Sequence, residues 1–279
     1  MSTTHINGFE MYYRERGGGS PLVLAHGLMG SIDMMDALGE NPESLSRQFR
    51  LINYDARGHG RSGYTADPAH YSWYALADDL LALLRHLGIE RAHLGGGSMG
   101  AGTSLVFALQ HPEMVDRLVL IAPPPLGEDM GPVRQMFLAF AAIIETQGLE
   151  KAVEVALALP QFQALREENP QEFAWTRSWL LSQNPESIVP AIRGLLGGPP
   201  LPAERFGEIK ARALIVAHPD DDIHPLASAR LLQRSLPDCY LVVAPTMTYY
   251  RENPEELASI IEGFLLGGTE QEAGGAEVP

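Results

Sequence analysis

A serine with glycines two residues away on either side lies at the end of a short apolar run. The stretch reads Gly96-Gly97-Ser98-Met99-Gly100. Glycines at these positions permit a sharp turn from a strand into a helix, and such a turn presents a hydroxyl beside free backbone N–H groups. A serine in this setting is suited to attack a carbonyl carbon, so the pattern predicts Ser98 as a nucleophile. A phosphate-binding loop is disfavoured, because no G-x-G-x-x-G with an acid about twenty residues later fits here.

Acidic and basic side chains that could assist a serine cluster further along the chain. The stretch "HPDDDIH" holds His218, Asp220, Asp221, Asp222 and His224. A carboxylate and an imidazole are the partners that a nucleophilic serine requires. The cluster also superficially suits a metal, but local clusters of this kind are more often loops with helix caps, and no other region contributes obvious ligands. We therefore predict no metal and no other cofactor.

Both groups follow apolar runs that have the composition of strands. Such runs alternate with helical patterns, and this alternation predicts a mostly parallel central sheet flanked by helices on both faces. The carboxyl ends of parallel strands share one edge of a sheet, so the serine and the acid stretch are expected at the same edge. The runs span residues 21–26, 49–55, 91–97, 116–123, 211–218 and 239–245.

The alternation lapses between residues 126 and 205, where helical patterns are separated by prolines. We expect this stretch to form a helical cap insertion above the sheet, with only a minority of its side chains lining a pocket. The core is then expected to comprise residues 1–125 and 206–267. The small, acidic residues of 268–279 predict a disordered tail.

Three motifs in this order resemble those of the α/β-hydrolase superfamily. They are "HGLMG" at 26–30, "DARGHGRS" at 55–62 and the turn around Ser98. The resemblance covers about residues 8–265 and implies the α/β-hydrolase fold. It implies that the backbone N–H groups of Leu28 and Met99 form an oxyanion hole, in which two fixed donors stabilise a developing alkoxide.

The resemblance also assigns roles around the active site. It implies that His26 and His59 are structural. The family's spacing between an acid and the proline that opens the next helix implies Asp221 as the acid. Asp220 and Asp222 lie within one residue of that assignment and stay open as alternatives.

The catalytic histidine that the resemblance implies, after the last strand, is missing. Counting back from Pro254 puts its position at Met247, and counting forward from Pro245 puts it at Tyr249, so that Met247, Thr248 and Tyr249 occupy its place. Methionine has no basic nitrogen, and a phenol with a pKa near 10 is protonated at neutral pH. None of the nine histidines lies beyond His224 in the sequence.

Two hypotheses follow from the missing histidine. The first is a serine hydrolase of a small ester, lactone or related carbonyl compound, with the base relocated to His224 or His218. A separation near 3 Å between the Ser98 Oγ and one of these imidazoles would complete the triad. The alternative is a ligand binder, or a lyase or cyclase, that uses the pocket without acyl transfer.

Composition narrows the expected partners and location. The formal net charge of −15 argues against nucleic acid and anionic membranes. The N-terminus lacks a signal-peptide pattern and no apolar run is long enough to span a bilayer, so a cytoplasmic protein is expected. The apolar character of the helical stretch favours a small, apolar carbonyl substrate. Cys239, the single cysteine, is expected to be a buried, inert thiol.

Overall fold

The computed structural model describes residues 2–267, so the tail predicted at 268–279 lies outside the described residues. Within this range eight strands form one sheet in the order β1-β2-β4-β3-β5-β6-β7-β8. The strands are β1 (Ser2–Ile6), β2 (Phe9–Arg16), β3 (Ser20–Ala25), β4 (Phe49–Tyr54), β5 (Ala92–Gly97), β6 (Val115–Ile121), β7 (Arg212–Ala217) and β8 (Cys239–Val243).

The strands β3 to β8 pair in parallel, as the apolar runs predict. Each of these strands lies within two residues of its predicted run. The antiparallel hairpin of β1 and β2 was not predicted. Its turn is Asn7-Gly8, with φ angles of 42° and 83°, and an Asn-Gly pair is a strong hairpin signal. The mostly parallel sheet of the predicted fold class is confirmed.

Helices cover both faces of the sheet and fill the connection between β6 and β7. Five helices in that connection, α4 to α8 (Met130–Gly197), are called the helical segment below. The helices are α1 (Ile32–Ala37), α2 (Trp73–His86), α3 (Met99–Gln110), α4 (Met130–Gln147), α5 (Leu149–Leu157), α6 (Pro160–Glu168), α7 (Pro170–Leu181), α8 (Pro185–Gly197), α9 (Leu226–Ser235), α10 (Tyr249–Glu252) and α11 (Pro254–Leu265). Among residues 2–267, no helix is both long and apolar enough to cross a bilayer.

The two faces of the sheet belong to two separate hydrophobic clusters. Successive residues of a strand point to opposite faces, so Val23 packs in the cluster that contains α2 and α3, whereas Leu24 packs in the cluster that contains α11. Because both faces are covered, the central strands are nearly continuous apolar runs, which is why they were readable from the sequence.

A buried ion pair ties the loop after β4 to α2. The Arg57 guanidinium donates to both carboxylate oxygens of Asp79, from Nη2 at 2.7 Å and from Nε at 3.0 Å. The Asn7 side chain donates to Asp79 Oδ1 at 2.9 Å, which attaches the β1–β2 hairpin to the same pair. Burial raises the pKa of the Asp79 carboxyl even though Arg57 favours its charged form.

Removing one partner of this pair is expected to destabilise the fold strongly. Asp79→Ala leaves the Arg57 charge buried without compensation, and the expected loss in the free energy of unfolding is about 3–5 kcal/mol. Urea unfolding followed by circular dichroism measures it. The matched control is Glu208→Ala, which removes the partner of Arg205 in a solvent-exposed pair. A loss for Asp79→Ala no larger than that of the control would contradict the expectation.

Candidate active site

Ser98 lies on a strained turn between β5 and α3. Its φ and ψ are 47° and −105°, a conformation that side chains with a β-carbon adopt rarely. The neighbouring glycines are required because β3 passes close by: a β-carbon on Gly96 would lie 1.9 Å from the Ala25 carbonyl oxygen, and one on Gly100 would lie 2.4 Å from it. The Ser98 N–H donates to the Ile121 carbonyl at 3.0 Å and fixes the turn against β6.

The imidazole of His224 lies between the Ser98 hydroxyl and the Asp221 carboxylate. His224 Nε2 is 2.9 Å from Ser98 Oγ, and His224 Nδ1 is 2.8 Å from Asp221 Oδ2. A carboxylate only accepts hydrogen bonds, so this contact favours the tautomer protonated at Nδ1. Nε2 is then free to accept the serine proton.

Asp221 and His224 belong to one tight loop between β7 and α9. Asp221 Oδ1 accepts the backbone N–H groups of Ile223 at 2.8 Å and of His224 at 3.1 Å. Burial alone would raise the pKa of Asp221. The hydrogen bond and charge of the His224 side chain, together with the two backbone N–H groups, outweigh burial and lower this pKa to about 2. Asp221 is therefore ionised at neutral pH.

The remaining candidates on this loop lie further from the serine. His218 Nε2 is 3.6 Å from Asp221 Oδ2, which is too long for a hydrogen bond. Burial lowers the pKa of His218, although Asp221 opposes this shift. The side chains of Asp220 and Asp222 are exposed. The structure thus brings Ser98, Asp221 and His224 together, whereas His218 approaches Asp221 Oδ2 without forming a hydrogen bond with it.

The loop after β8, where the resemblance implies a histidine, has other contacts. Met247 is 56% exposed and Tyr249 begins the short helix α10. Arg251 of α10 forms two hydrogen bonds, of 2.7 and 2.8 Å, with the carboxylate of Glu172 on α7. This loop therefore joins the core to the helical segment.

Two backbone N–H groups beside Ser98 have no partner among residues 2–267. They belong to Leu28 and Met99, and both residues line the same cavity as Ser98. The Met99 N–H is at the first residue of α3, where the helix dipole also favours negative charge. A tetrahedral oxyanion formed at Ser98 could accept from both groups.

The loop that carries Leu28 is held from two sides. On the core side, His26 Nε2 accepts the Ala56 N–H at 2.9 Å, and burial lowers the pKa of His26 to about 4, so the ring is neutral and able to accept. On the other side, the Met29 carbonyl accepts Trp179 Nε1 at 3.0 Å and Gln183 Nε2 at 3.2 Å. Two residues of the helical segment, Trp179 of α7 and Gln183 of the turn after α7, thus fix the position of the Leu28 loop.

A mainly apolar cavity of about 230 Å³ opens at the Ser98 hydroxyl. The helical segment supplies one wall, and the turns after β3, β5 and β6 supply the other. The described residues contain no group of three or more His, Cys, Asp or Glu side chains arranged to hold a metal ion. The lining includes His26, Gly27, Leu28, Met29, Ser31, Met34, Met35, Glu40, Trp73, Gly97, Met99, Ile121, Met130, Val133, Phe137, Trp179, Leu195, Ile223 and His224.

Comparison with known proteins agrees with this architecture. Residues 20–144 match the family described as "alpha/beta hydrolase fold". The fold is shared with a solved hydrolase from Pseudomonas aeruginosa PA01 at a TM-score of 0.80 and 26% identity, over 96% of this chain and 98% of the other. The chain has the α/β-hydrolase fold and resembles that superfamily. The predicted α/β-hydrolase fold and the resemblance to that family are confirmed.

Two further similarities concern the activity of this α/β-hydrolase. A thermophilic esterase from Thermogutta terrifontis is 25% identical, with a TM-score of 0.77 and coverage of 95% of this chain and 96% of that chain. The 2-hydroxy-6-oxononadienedioate/2-hydroxy-6-oxononatrienedioate hydrolase of Comamonas testosteroni is 26% identical, over 94% of this chain and 93% of that protein. The prediction of an enzyme of the carboxylic ester hydrolase type is confirmed.

Three residues near the cavity of this α/β-hydrolase were not predicted from the sequence. Trp179 and Gln183 support the Leu28 loop, and Glu40 lines the cavity. No local motif marks any of them, because each reaches the site only through the packing of distant segments. The one usable signal was the pair of tryptophans in the helical stretch, because the indole N–H of a buried tryptophan usually needs a hydrogen-bond acceptor.

Proposed function

We propose that this protein hydrolyses a small ester, lactone or related carbonyl compound, with Ser98 as nucleophile, His224 as general base and Asp221 as the acid. The observation that supports this most directly is the pair of short contacts made by one imidazole, 2.9 Å to Ser98 Oγ and 2.8 Å to Asp221 Oδ2. A serine, a base and an orienting group within hydrogen-bond distance are the features that activate a serine nucleophile.

The proposed reaction proceeds through an acyl-enzyme. His224 Nε2 takes the Ser98 proton as Oγ attacks the carbonyl carbon, and the N–H groups of Leu28 and Met99 hold the oxyanion. The imidazolium, stabilised by ionised Asp221, then donates its Nε2 proton to the leaving oxygen. In the second half-reaction water attacks the acyl carbonyl carbon, with His224 again as base, and the carboxylic acid product leaves Ser98.

The cavity supports a small and mainly apolar substrate. Its volume of about 230 Å³ suits a short acyl chain, and five of its lining residues are methionines, whose flexible side chains adapt to different shapes. We propose that residues 126–205 form a cap over the nucleophile, as the apolar wall contributed by Phe137 and Trp179 suggests. The similarity to the Thermogutta esterase supports an ester as the target.

Labelling with a fluorophosphonate tests the proposal. We expect one equivalent to attach at neutral pH, because only an activated serine reacts with this reagent, and we expect Ser98→Ala to abolish both labelling and ester hydrolysis. Intact-protein mass spectrometry and peptide mapping measure the modification. Ser178→Ala, which removes an exposed hydroxyl of α7, is the control. Absence of labelling in the folded wild-type protein would favour a ligand binder, or a lyase or cyclase, instead.

A further inference from the structure

One carboxylate lies inside the otherwise apolar cavity, next to the nucleophile. Glu40 follows α1, where its N–H donates to the Met35 carbonyl at 2.9 Å and Gly39 adopts a φ of +69°. This helix-ending turn directs the chain back toward the sheet. A β-carbon built on Gly97, the residue that precedes Ser98, would lie 3.6 Å from Glu40 Oε2. The carboxylate therefore borders the space in which an ester would bind.

No partner among residues 2–267 neutralises this carboxylate. Its oxygens form no hydrogen bond or ion pair with another described side chain, and the cavity lining includes no lysine or arginine. The charge of Arg251 also acts on Glu40, but its guanidinium already forms hydrogen bonds with both carboxylate oxygens of Glu172. Burial raises the pKa of Glu40, whereas His224 and Arg251 favour its charged form. A charged substrate group that entered the cavity would meet Glu40 without a compensating lysine or arginine in the lining.

We propose that Glu40 determines the charge preference of this active site, favouring neutral and cationic esters and excluding esters that carry a second, free carboxylate. This inference rests on the proposed esterase function. The physical reason is that two like charges a few ångströms apart repel strongly where water is largely excluded, while opposite charges attract. The preference would separate this protein from its Comamonas relative, whose named substrates are dioates.

Esters that differ only in the end of the acyl chain test the preference. The neutral probe is p-nitrophenyl hexanoate, the anionic probe is mono-p-nitrophenyl adipate, and the cationic probe is p-nitrophenyl 5-(trimethylammonio)pentanoate. In the wild type we expect kcat/KM to decrease in the order cationic, neutral, anionic. Glu40→Gln keeps the size and polarity of the side chain and removes the charge. It should raise the anionic-to-neutral ratio of kcat/KM by about tenfold or more.

A second series places the charge on the alcohol. Butyrate esters of choline, 3,3-dimethylbutanol and 3-hydroxypropanoate carry a positive, a neutral and a negative group on the leaving side. The two series together cover both halves of an ester, so the substituent nearer Glu40 is sampled in at least one of them. Hydrolysis is followed by pH-stat, with Ser98→Ala as the blank.

Glu43→Gln is the matched control. It removes the same charge three residues away, from an exposed side chain outside the cavity, and should leave the ratios of kcat/KM unchanged. A shift of the ratio in Glu40→Gln but not in Glu43→Gln supports the proposal. Equal ratios in wild type and Glu40→Gln, in both series, overturn it while leaving the esterase function intact. Equal hydrolysis of the hexanoate by wild type and Ser98→Ala overturns the esterase function and, with it, this inference.

Discussion

Replacing His224 by alanine is expected to lower kcat for ester hydrolysis by a factor of about 10⁴ to 10⁶, the range seen when a serine hydrolase loses its base. The imidazole is the only titratable ring within hydrogen-bond distance of Ser98 Oγ among the described residues. Without it the hydroxyl keeps its proton, and only binding and the two backbone N–H groups remain to assist the reaction. Steady-state kinetics on p-nitrophenyl hexanoate, with active-site titration, measure the loss.

His218→Ala is the informative comparison for this prediction. The ring of His218 belongs to the same loop, but its Nε2 comes only within 3.6 Å of Asp221 Oδ2. We expect this variant to keep its activity within about tenfold of the wild type, because a contact of that length is not a hydrogen bond. A larger loss in His218→Ala than in His224→Ala would assign the base to His218.

Asp221→Asn is expected to lower kcat by about 10⁴, as the equivalent change does in a serine protease. An amide has one acceptor oxygen, whereas Asp221 accepts the imidazole at Oδ2 and two backbone N–H groups at Oδ1. The asparagine therefore either loses the loop contacts or faces His224 with an N–H donor, which selects the wrong tautomer. Circular dichroism should confirm the fold while kinetics measure kcat.

Asp222→Asn separates this effect from a general loss of negative charge on the loop. Asp222 is the next residue and its side chain is exposed. Its substitution should change kcat by less than about threefold, in line with the small contribution of screened surface charges. A similar loss in both variants would mean that the charge of the loop, rather than the Asp221 contact, matters.

The sequence specified most of the parallel sheet and the sharp turn at Ser98, the proposed nucleophile. The strands β3 to β8 are apolar runs because they are buried on both faces. The turn at Ser98 needs glycines, and these stand beside the serine in the sequence. The hairpin of β1 and β2 could also have been predicted, since Asn7-Gly8 separates two alternating segments. Local residue patterns of this kind can be recognised in a single sequence.

The sequence could not decide between His218 and His224 in the same way. Both flank the same carboxylates, and the answer depends on a loop conformation in which Asp221 caps the backbone of Ile223 and His224. That turn places the His224 ring within hydrogen-bond distance of Ser98, whereas the His218 ring is 3.6 Å from Asp221 Oδ2. The position of Glu40 in the cavity could not be predicted for a related reason. It follows from the packing of α1 and the turn after it against the C-terminal helices.

The spacing of Asp221 and His224 has a consequence for how the proposed acid and base are aligned. In this chain the two residues are separated by three positions on a single turn, so their alignment is set locally and does not depend on the register of two different strands. A four-residue segment, "DDIH", carries both groups as one unit. In the proposed mechanism the segment after β8 supplies no catalytic group, and its Arg251 instead contacts Glu172 of the helical segment. In the proposed mechanism the acid and the base therefore share one four-residue segment, and the conformation of a single loop sets their alignment.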